Sequence, residues 1–442
     1  MKSARETALL ILYRYDKENA YLNIAFKNLL SPSELSREDS AFVKELVFGT
    51  VKYKITLDYV IRSFSTVRLK KISPYILNIL RMSAYQMLFM NKIPKSAAVN
   101  EGVKLAKKYG HHASSGFANA VLRKISLLEN INYPSGAEAL CVKYSHPQEL
   151  IDFYISNFGL EKAEEILTAN LAAAPVCLRA NSLYISREEL ILLLRNEGFE
   201  AESAPVSKYA VFIKSGGDIT KTKAYRNGLC TIQDQASQLA AVMLSPEKGD
   251  FVLDMCSAPG GKTTHIAELM GNEGKILAFD LYEKRLDDVK AQSKRLKVDN
   301  VLTAKVHDAQ FPLPELYGKA DKILLDVPCS GLGIIRRKPD IKYKEDLLKF
   351  EHLVKIQTNI LNICSKYLKI DGVMVYSTCT INPAENIEVI NNFLKTHPNF
   401  CIDSPKAGML SPYAESVLKS GCGTFFPGMS DGFFICRLRR ID

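Results

Sequence analysis

The stretch from Phe251 to Thr264 restricts the fold more than any other part of the chain. A short apolar run ends in Asp254, passes through small residues and the pair Gly260–Gly261, and enters a helical pattern at Lys262. This is the pattern of a buried strand, a tight turn and a helix N-terminus, which together aim backbone N–H groups at a ligand. Pro259 stiffens the entry, and the two glycines allow the backbone to approach that ligand closely. Gly261, Lys262 and Thr263 imitate the end of a P-loop, but that motif requires its first glycine where Cys256 stands. A plain strand-to-helix turn is the bland alternative, and it rarely needs Ala258-Pro259-Gly260-Gly261.

From Cys230 onward strand and helix patterns alternate, with strands expected over 250–255, 274–280, 301–307, 321–327 and 371–377, and a closing strand over 431–438. Such alternation argues a parallel sheet covered on both faces. Ligands of such sheets sit beyond the carboxyl ends of the strands, and Asp254, Asp280, Asp308, Asp326 and Cys379 all fall there. One Asp after a strand is more often a helix cap; four in succession are not explained that way. Asp280 ends its strand as an acid does when it takes the hydroxyls of a ribose. A nucleoside without phosphates suits that acid, whereas a triphosphate beside it would be repelled.

The first third is different. From Arg5 to about Ile125 the apolar residues recur three and four apart, as in 7–13, 39–51, 74–90 and 97–108, which argues an all-α bundle. Ser73-Pro74 opens one helix as cap and first helical residue, and Asn91–Pro94 ends it. Residues 131–175 read as a helical connector, and the period then changes: strands over 176–181 and 210–214 flank a helix over 187–197, a small α+β module without an aromatic pattern for stacking RNA bases. Residues 1–130 carry 21 Lys and Arg against 10 Asp and Glu, and the rest of the chain 37 against 38. The basic excess of the first third suggests a polyanion partner, although a solvated helical face remains open for Arg68, Lys70, Lys71, Lys104, Lys107, Lys108, Arg123 and Lys124 taken singly. The ten cysteines form no CxxC pairs, so neither a zinc site nor a disulfide framework is indicated, and no metal is expected. No apolar segment is long enough to span a membrane and the first residues lack the apolar core of a signal peptide, so a cytoplasmic protein is expected.

Two further motifs follow strand patterns directly: Asp326-Val-Pro-Cys-Ser-Gly331 and Ser377-Thr-Cys-Thr380. Together with the stretch Asp254–Lys262 they resemble the Sun family of RNA cytosine 5-methyltransferases, which use S-adenosylmethionine, and the residues before position 130 look like the NusB fold, whose members bind RNA. The similarity covers nearly the whole chain and points to the bacterial enzymes acting on small-subunit ribosomal RNA. It implies a NusB-like domain over 1–130, the connector with a small RRM-like module over 131–230, and a Rossmann-like methyltransferase domain over 231–442. It assigns cofactor contacts to Cys256, Ser257, Ala258, Pro259, Gly260, Gly261 and Lys262, with Asp280 on the ribose and Asp308 near the adenine, and Asp326 is expected beside the cofactor as well. Arg285 either neutralises part of this acidic site or stays on the surface. Ser257 stands where the family usually has Ala.

Two loop cysteines compete as the nucleophile. The DNA enzymes use the Pro-Cys cysteine, here Cys329; the RNA enzymes that this chain resembles use the Thr-Cys cysteine, here Cys379, with Cys329 assisting release and Asp326 holding the base edge. The resemblance favours Cys379 and implies cytosine 967 of 16S ribosomal RNA, in unassembled or early precursor form, as target of a monomeric enzyme. Arg336, Arg337, Lys338 and Lys342 follow the Pro-Cys loop and are expected to hold phosphates flanking the target. The competing readings are a P-loop-like nucleotide hydrolase using Lys262 and Asp326, and a non-catalytic NusB-like RNA-binding factor.

Overall fold

A computed structural model describes residues 2–18, 22–29, 35–136, 138–344 and 346–442. The chain forms two compact units, Met1–Ala172 with Ile335–Asp346, and Ala173–Ile334 with Leu347–Asp442.

The first unit is all helical apart from its connections, as the periodicity requires. Its centre is the helix Pro74–Phe89, whose cap Ser73 accepts from the Ile76 N–H and whose first position is the proline. Eleven of its residues are buried, so helices Ala4–Glu18, Arg37–Lys52, Lys54–Phe64, Lys95–Tyr109 and His112–Ser126 surround it with one continuous core. One of the buried residues is Arg81, whose guanidinium forms two parallel bonds to Asp58 at 2.6 and 2.7 Å and lies 3.6 Å from Asp16. Burial costs the charge its hydration, and the fork geometry returns it. The expected connector is also helical, over Glu138–Tyr144, Gln148–Phe158 and Leu160–Leu171, and belongs to this unit.

The segment after the Pro-Cys loop corrects one expectation. Residues Ile335–Asp346 are part of the first unit, where Asp340 accepts from the Leu22 N–H at 3.0 Å and the Lys342 ammonium donates to the carbonyls of Lys52 and Ser145 at 2.7 and 2.5 Å. Lys342 is 1% exposed and Arg336 5%. Neither reaches solvent, so neither can hold an RNA phosphate. Lys342 is an interior tie between backbone oxygens, and burial lowers its pKa well below the ordinary lysine value. Lys338 is exposed and Arg337 half-buried.

The second unit holds two sheets. In the small one, β1 (Val176–Ala180), β2 (Glu200–Ser203), β3 (Ala210–Ser215) and β4 (Cys230–Ile232) are antiparallel in the order β2-β3-β1-β4. The helix Arg187–Asn196 covers it through Leu190 and Leu194, and its Ser186–Glu189 capping box marks its start. β4 therefore completes the small module and does not open the α/β alternation. β2 has one buried residue in four, so no apolar period announces it.

The large sheet comprises β5 (Phe251–Asp254), β6 (Lys275–Asp280), β7 (Leu302–Val306), β8 (Ala320–Asp326), β9 (Leu368–Thr378), β10 (Phe400–Ile402), β11 (Cys422–Phe425) and β12 (Phe433–Arg440). Its order is β10-β12-β9-β8-β5-β6-β7, with β11 also on β12. Strands β5 to β9 are parallel, but β12 runs antiparallel to β9, β10 and β11, so the sheet is mixed and not wholly parallel. Apolar period reports which residues are buried and carries no strand direction, hence the difference. The chain builds outward from β5 through β6 to β7, then returns to place β8 on the other side of β5. That reversal opens a crevice at the carboxyl ends of β5 and β8.

Replacing Arg81 by alanine leaves Asp58 without its partner inside the first unit. The variant is expected to lose about 3 kcal/mol of stability, with little further loss when Asp58→Ala is added. Urea unfolding of the single and double variants checks this; additive losses would refute the pairing.

Candidate active site

The crevice between β5 and β8 is where the chemistry-bearing residues converge. Beyond β5 the chain turns through Cys256–Pro259 into the helix Gly261–Leu269, held by the Met255 N–H on the Leu324 carbonyl at 3.1 Å and the Ser257 N–H on the Phe279 carbonyl at 2.8 Å. Gly260 has φ +100°, and a Cβ there would meet the Val289 backbone at 3.0 Å. Its lack of a side chain serves helix packing and a left-handed turn. Thr263 fixes the turn from below, its hydroxyl donating to Asp254 at 2.7 Å. Asp254 is fully buried, and desolvation pushes its carboxyl group up to about 7.

Lys262 reaches across the crevice to Asp326 at 2.7 Å, with its ammonium 5.0 Å from the centre of the Phe433 ring. The other Asp326 oxygen accepts from the Ser377 hydroxyl at 2.9 Å. A cavity open to solvent is lined by Asp254, Cys256, Ser257, Ala258, Pro259, Gly261, Lys262 and Asp326. Four residues that the motifs did not single out complete it: Ile232, Gln233, Ser237 and Gln292. Gln233 stands just after β4, where a three-residue strand gives almost no periodic signal.

Gly260, Asp280, Arg285 and Asp308 lie outside that cavity's lining. Asp280 is buried at the end of β6, and its oxygens accept from the Ala258 and Tyr282 N–H groups at 3.3 and 3.2 Å. Arg285 spans from Asp280 at 3.3 Å to the Ala258 carbonyl at 3.1 Å, joining that acid to the loop. Asp308 accepts from the Gln310 backbone at 3.0 Å.

The two cysteines are neighbours. The sulfurs of Cys329 and Cys379 are 3.3 Å apart, on loops that follow β8 and β9. Cys329 is pushed well above the ordinary thiol pKa by its hydrogen bond to Cys379, by burial and by the charge of Glu385. The Glu385 carboxylate, fully buried, accepts from the Ser330 N–H at 2.8 Å, from Gln357 at 3.0 Å and from Asn382 at 3.1 Å. Ser330 also bonds Thr380, hydroxyl to hydroxyl, at 2.8 Å. One carboxylate thus pins the Pro-Cys loop to the Thr-Cys loop. Glu385 lies outside the motifs, and nothing in its sequence setting marks it. Among the described residues no cluster of His, Cys, Asp and Glu has the arrangement of a metal site, and no helix is long and apolar enough to cross a membrane.

Comparison with known proteins finds family matches along most of the chain. The family profile described as 16S rRNA methyltransferase RsmB/F matches residues 241–439, the NusB family profile residues 2–127, and a ferredoxin-like domain of the RsmF/B-like methyltransferases residues 146–220. The chain is 36% identical to the probable ribosomal RNA small subunit methyltransferase B of Bacillus subtilis over 99% of both chains, and 34% identical to the ribosomal RNA small subunit methyltransferase B of Photorhabdus laumondii over 92% of both. Among solved structures, one titled PH0851 matches all of this chain and 99% of its own, at 26% identity and TM-score 0.80. NSun6 from Pyrococcus horikoshii with SFG matches 67% of this chain and 98% of its own, at 25% identity and TM-score 0.58.

The raised Asp254 pKa has a consequence for stability. The unfolded carboxyl group titrates near 3.9, so the folded state is favoured by keeping it protonated; that stabilisation is complete below about pH 4 and is lost as the pH rises to about 7. Asp254→Asn stays uncharged. Its stability relative to the natural protein should therefore rise by up to about 4 kcal/mol between pH 4 and pH 8. Urea unfolding of both proteins at the two pH values, without added ligand, measures this; a difference independent of pH would refute it.

Proposed function

The chain belongs to the RsmB/F family of 16S ribosomal RNA methyltransferases, and we propose that it transfers a methyl group from S-adenosylmethionine to carbon 5 of a cytosine, through a covalent bond between Cys379 and carbon 6. The observation that carries this reading is the pair of thiols 3.3 Å apart, on loops that leave adjacent strands beside Asp326. Family membership sets aside both the nucleotide hydrolase and the non-catalytic factor, and Lys262 is engaged with Asp326.

Carbon 5 of cytosine is too weak a nucleophile to take a methyl group from a sulfonium unaided. Addition of the Cys379 thiolate at carbon 6 makes carbon 5 carbanion-like. Asp326, oriented by Lys262 and Ser377, holds the base at its ring nitrogen and amino group and favours the protonated adduct. After transfer a base takes the proton from carbon 5, the electron pair restores the ring double bond, and the Cys379 sulfur leaves. Cys329, whose sulfur lies 3.3 Å from that of Cys379, assists this release.

The residues fit the cofactor. Asp254 and Ser257 each present a buried oxygen without a hydrogen-bond partner among the described residues, at the cavity bounded by the loop 256–262. That loop would hold the cofactor, with Asp280 on the ribose, tied to the loop by Arg285, and Asp308 near the adenine; bound there, the cofactor supplies an electrophilic methyl carbon. The similar structure of NSun6 contains SFG, an analogue of S-adenosylmethionine, which supports this assignment. The substrate is 16S ribosomal RNA in unassembled or early precursor form, by resemblance at cytosine 967, and the target base must be unstacked to reach a thiol. The enzyme acts as a monomer in the cytoplasm. Exposed Lys338 and half-buried Arg337 remain as phosphate contacts after the Pro-Cys loop, and the basic NusB-like unit supplies further ones.

Cys379→Ala should abolish both methylation and any covalent protein–RNA species. Cys329→Ala should still attack and transfer, yet release poorly, so an adduct that requires Cys379 accumulates. Denaturing gels of each variant with unmethylated 16S RNA and S-adenosylmethionine, with mapping of 5-methylcytosine, read both outcomes. Adduct in Cys379→Ala but not in Cys329→Ala would exchange the two roles.

A further inference from the structure

The sulfurs of Cys329 and Cys379 lie 3.3 Å apart, and a disulfide needs about 2.05 Å. Closing the gap takes roughly 1.3 Å, a shift that rotation of the two side chains spans. The loops are held in this pairing independently of the sulfurs. The residues that follow the cysteines, Ser330 and Thr380, bond each other through their hydroxyls at 2.8 Å, and Ser330 also donates to Glu385. The Gly333 N–H donates to the Cys379 carbonyl at 3.0 Å. Both cysteines are half-buried, so a small oxidant reaches them. Neither lines the cavity assigned to the cofactor, whereas the half-buried Cys256 does. Cys422 and Cys436 also stand opposite each other, across β11 and β12, but Cys436 is buried.

We propose that Cys329 and Cys379 are a site of reversible oxidation, at which a hydroperoxide joins them in a disulfide and shuts methyl transfer off. The Cys379 thiolate attacks one peroxide oxygen and becomes a sulfenic acid, while the other oxygen leaves as hydroxide and takes up a proton to form water. The Cys329 sulfur, giving up its proton, then attacks the sulfenic sulfur, and the hydroxide displaced takes that proton as the second water. Two thiols lose two electrons, and the peroxide is reduced. Cys379 goes first because oxidation follows thiolate character, whereas its hydrogen bond to Cys379 and its burial raise Cys329 well above the ordinary thiol value. A second sulfur at 3.3 Å also stops the sulfenic acid from passing to the sulfinic acid, which ordinary thiols do not reduce. The disulfide leaves no thiolate for carbon 6 and no thiol to assist release, yet leaves the cofactor cavity untouched. In a reducing compartment such a bond is transient. The bond rests on the sulfur geometry alone; its effect on activity rests on the role proposed for Cys379.

The full chain is treated with graded hydrogen peroxide, its remaining thiols are blocked with N-ethylmaleimide, and joined peptides are mapped by mass spectrometry. A peptide pair linked through Cys329 and Cys379 should appear. Methylation of unmethylated 16S RNA should fall in step with it, about tenfold once nine-tenths of the chains are linked. Dithiothreitol should reverse both changes. Calorimetric titration without reductant should show S-adenosylhomocysteine binding the linked protein within about twofold of the reduced one. Cys329→Ser lacks the second sulfur, so the same peroxide should carry its Cys379 on to the sulfinic acid, which dithiothreitol does not reverse. Absence of the link at peroxide levels that abolish methylation would overturn the proposal, as would a loss that tracks oxidation of Cys256 or a Cys422–Cys436 link instead. A link that leaves methylation intact would overturn the shut-off and, with it, the nucleophile role given to Cys379.

Discussion

The site depends on the parallel pairing of β8 with β9, which sets Asp326 opposite Ser377. From that register the chain needs three residues on one side and two on the other to reach Cys329 and Cys379, so the sulfurs meet at 3.3 Å. A slip of one residue would turn the residues of either strand to the opposite face and break the close packing on both sides of the sheet. The loops beyond the strands have no ladder to hold them. Glu385 replaces the ladder: its carboxylate collects donors from the Pro-Cys loop, from Gln357 and from Asn382. A buried charge is tolerated on such terms because each oxygen is hydrogen-bonded. Gly333 closes the arrangement. Its N–H donates to the Cys379 carbonyl at 3.0 Å, and a Cβ there would strike the Gly432 carbonyl.

The parts of this design that were legible in the sequence are those carried by local pattern. The five parallel strands and the acids at their ends were, because a buried strand followed by a polar turn is a run of neighbours in the chain. The helix Pro74–Phe89 was, because Ser73 and Pro74 are adjacent. What failed to show has its partners far away. Glu385 acts on Ser330, 55 residues earlier, and Arg179 on Glu268, 89 residues later. Lys342 looked like an RNA contact because basic residues near a catalytic loop usually are solvated, and only three-dimensional packing reveals that its donors end on two carbonyls. Gly260 marks a turn before a helix in the sequence, while the packing of Val289 against its α-carbon appears only in three dimensions.

The small sheet also changes meaning once its contacts are known. It lies in the part of the chain that matches a ferredoxin-like domain, its pattern lacks aromatics for stacking bases, and Arg179 of β1 bonds to the helix that follows the glycine turn. Its Arg179 ties it to that helix through the Gly261 carbonyl, Thr264 and Glu268.

Residues 335–346 belong to a unit that otherwise ends at residue 172. During synthesis the ribosome therefore delivers nearly all of the first unit, then some 160 residues of the second, before the segment bearing Asp340 and Lys342 emerges. At ordinary elongation rates of about 5–20 residues per second this is a wait on the order of ten seconds or more. Through that interval the Leu22 N–H and the carbonyls of Lys52 and Ser145 lack the partners they have in the finished protein. The first unit can therefore be completed only after the Pro-Cys loop has been translated.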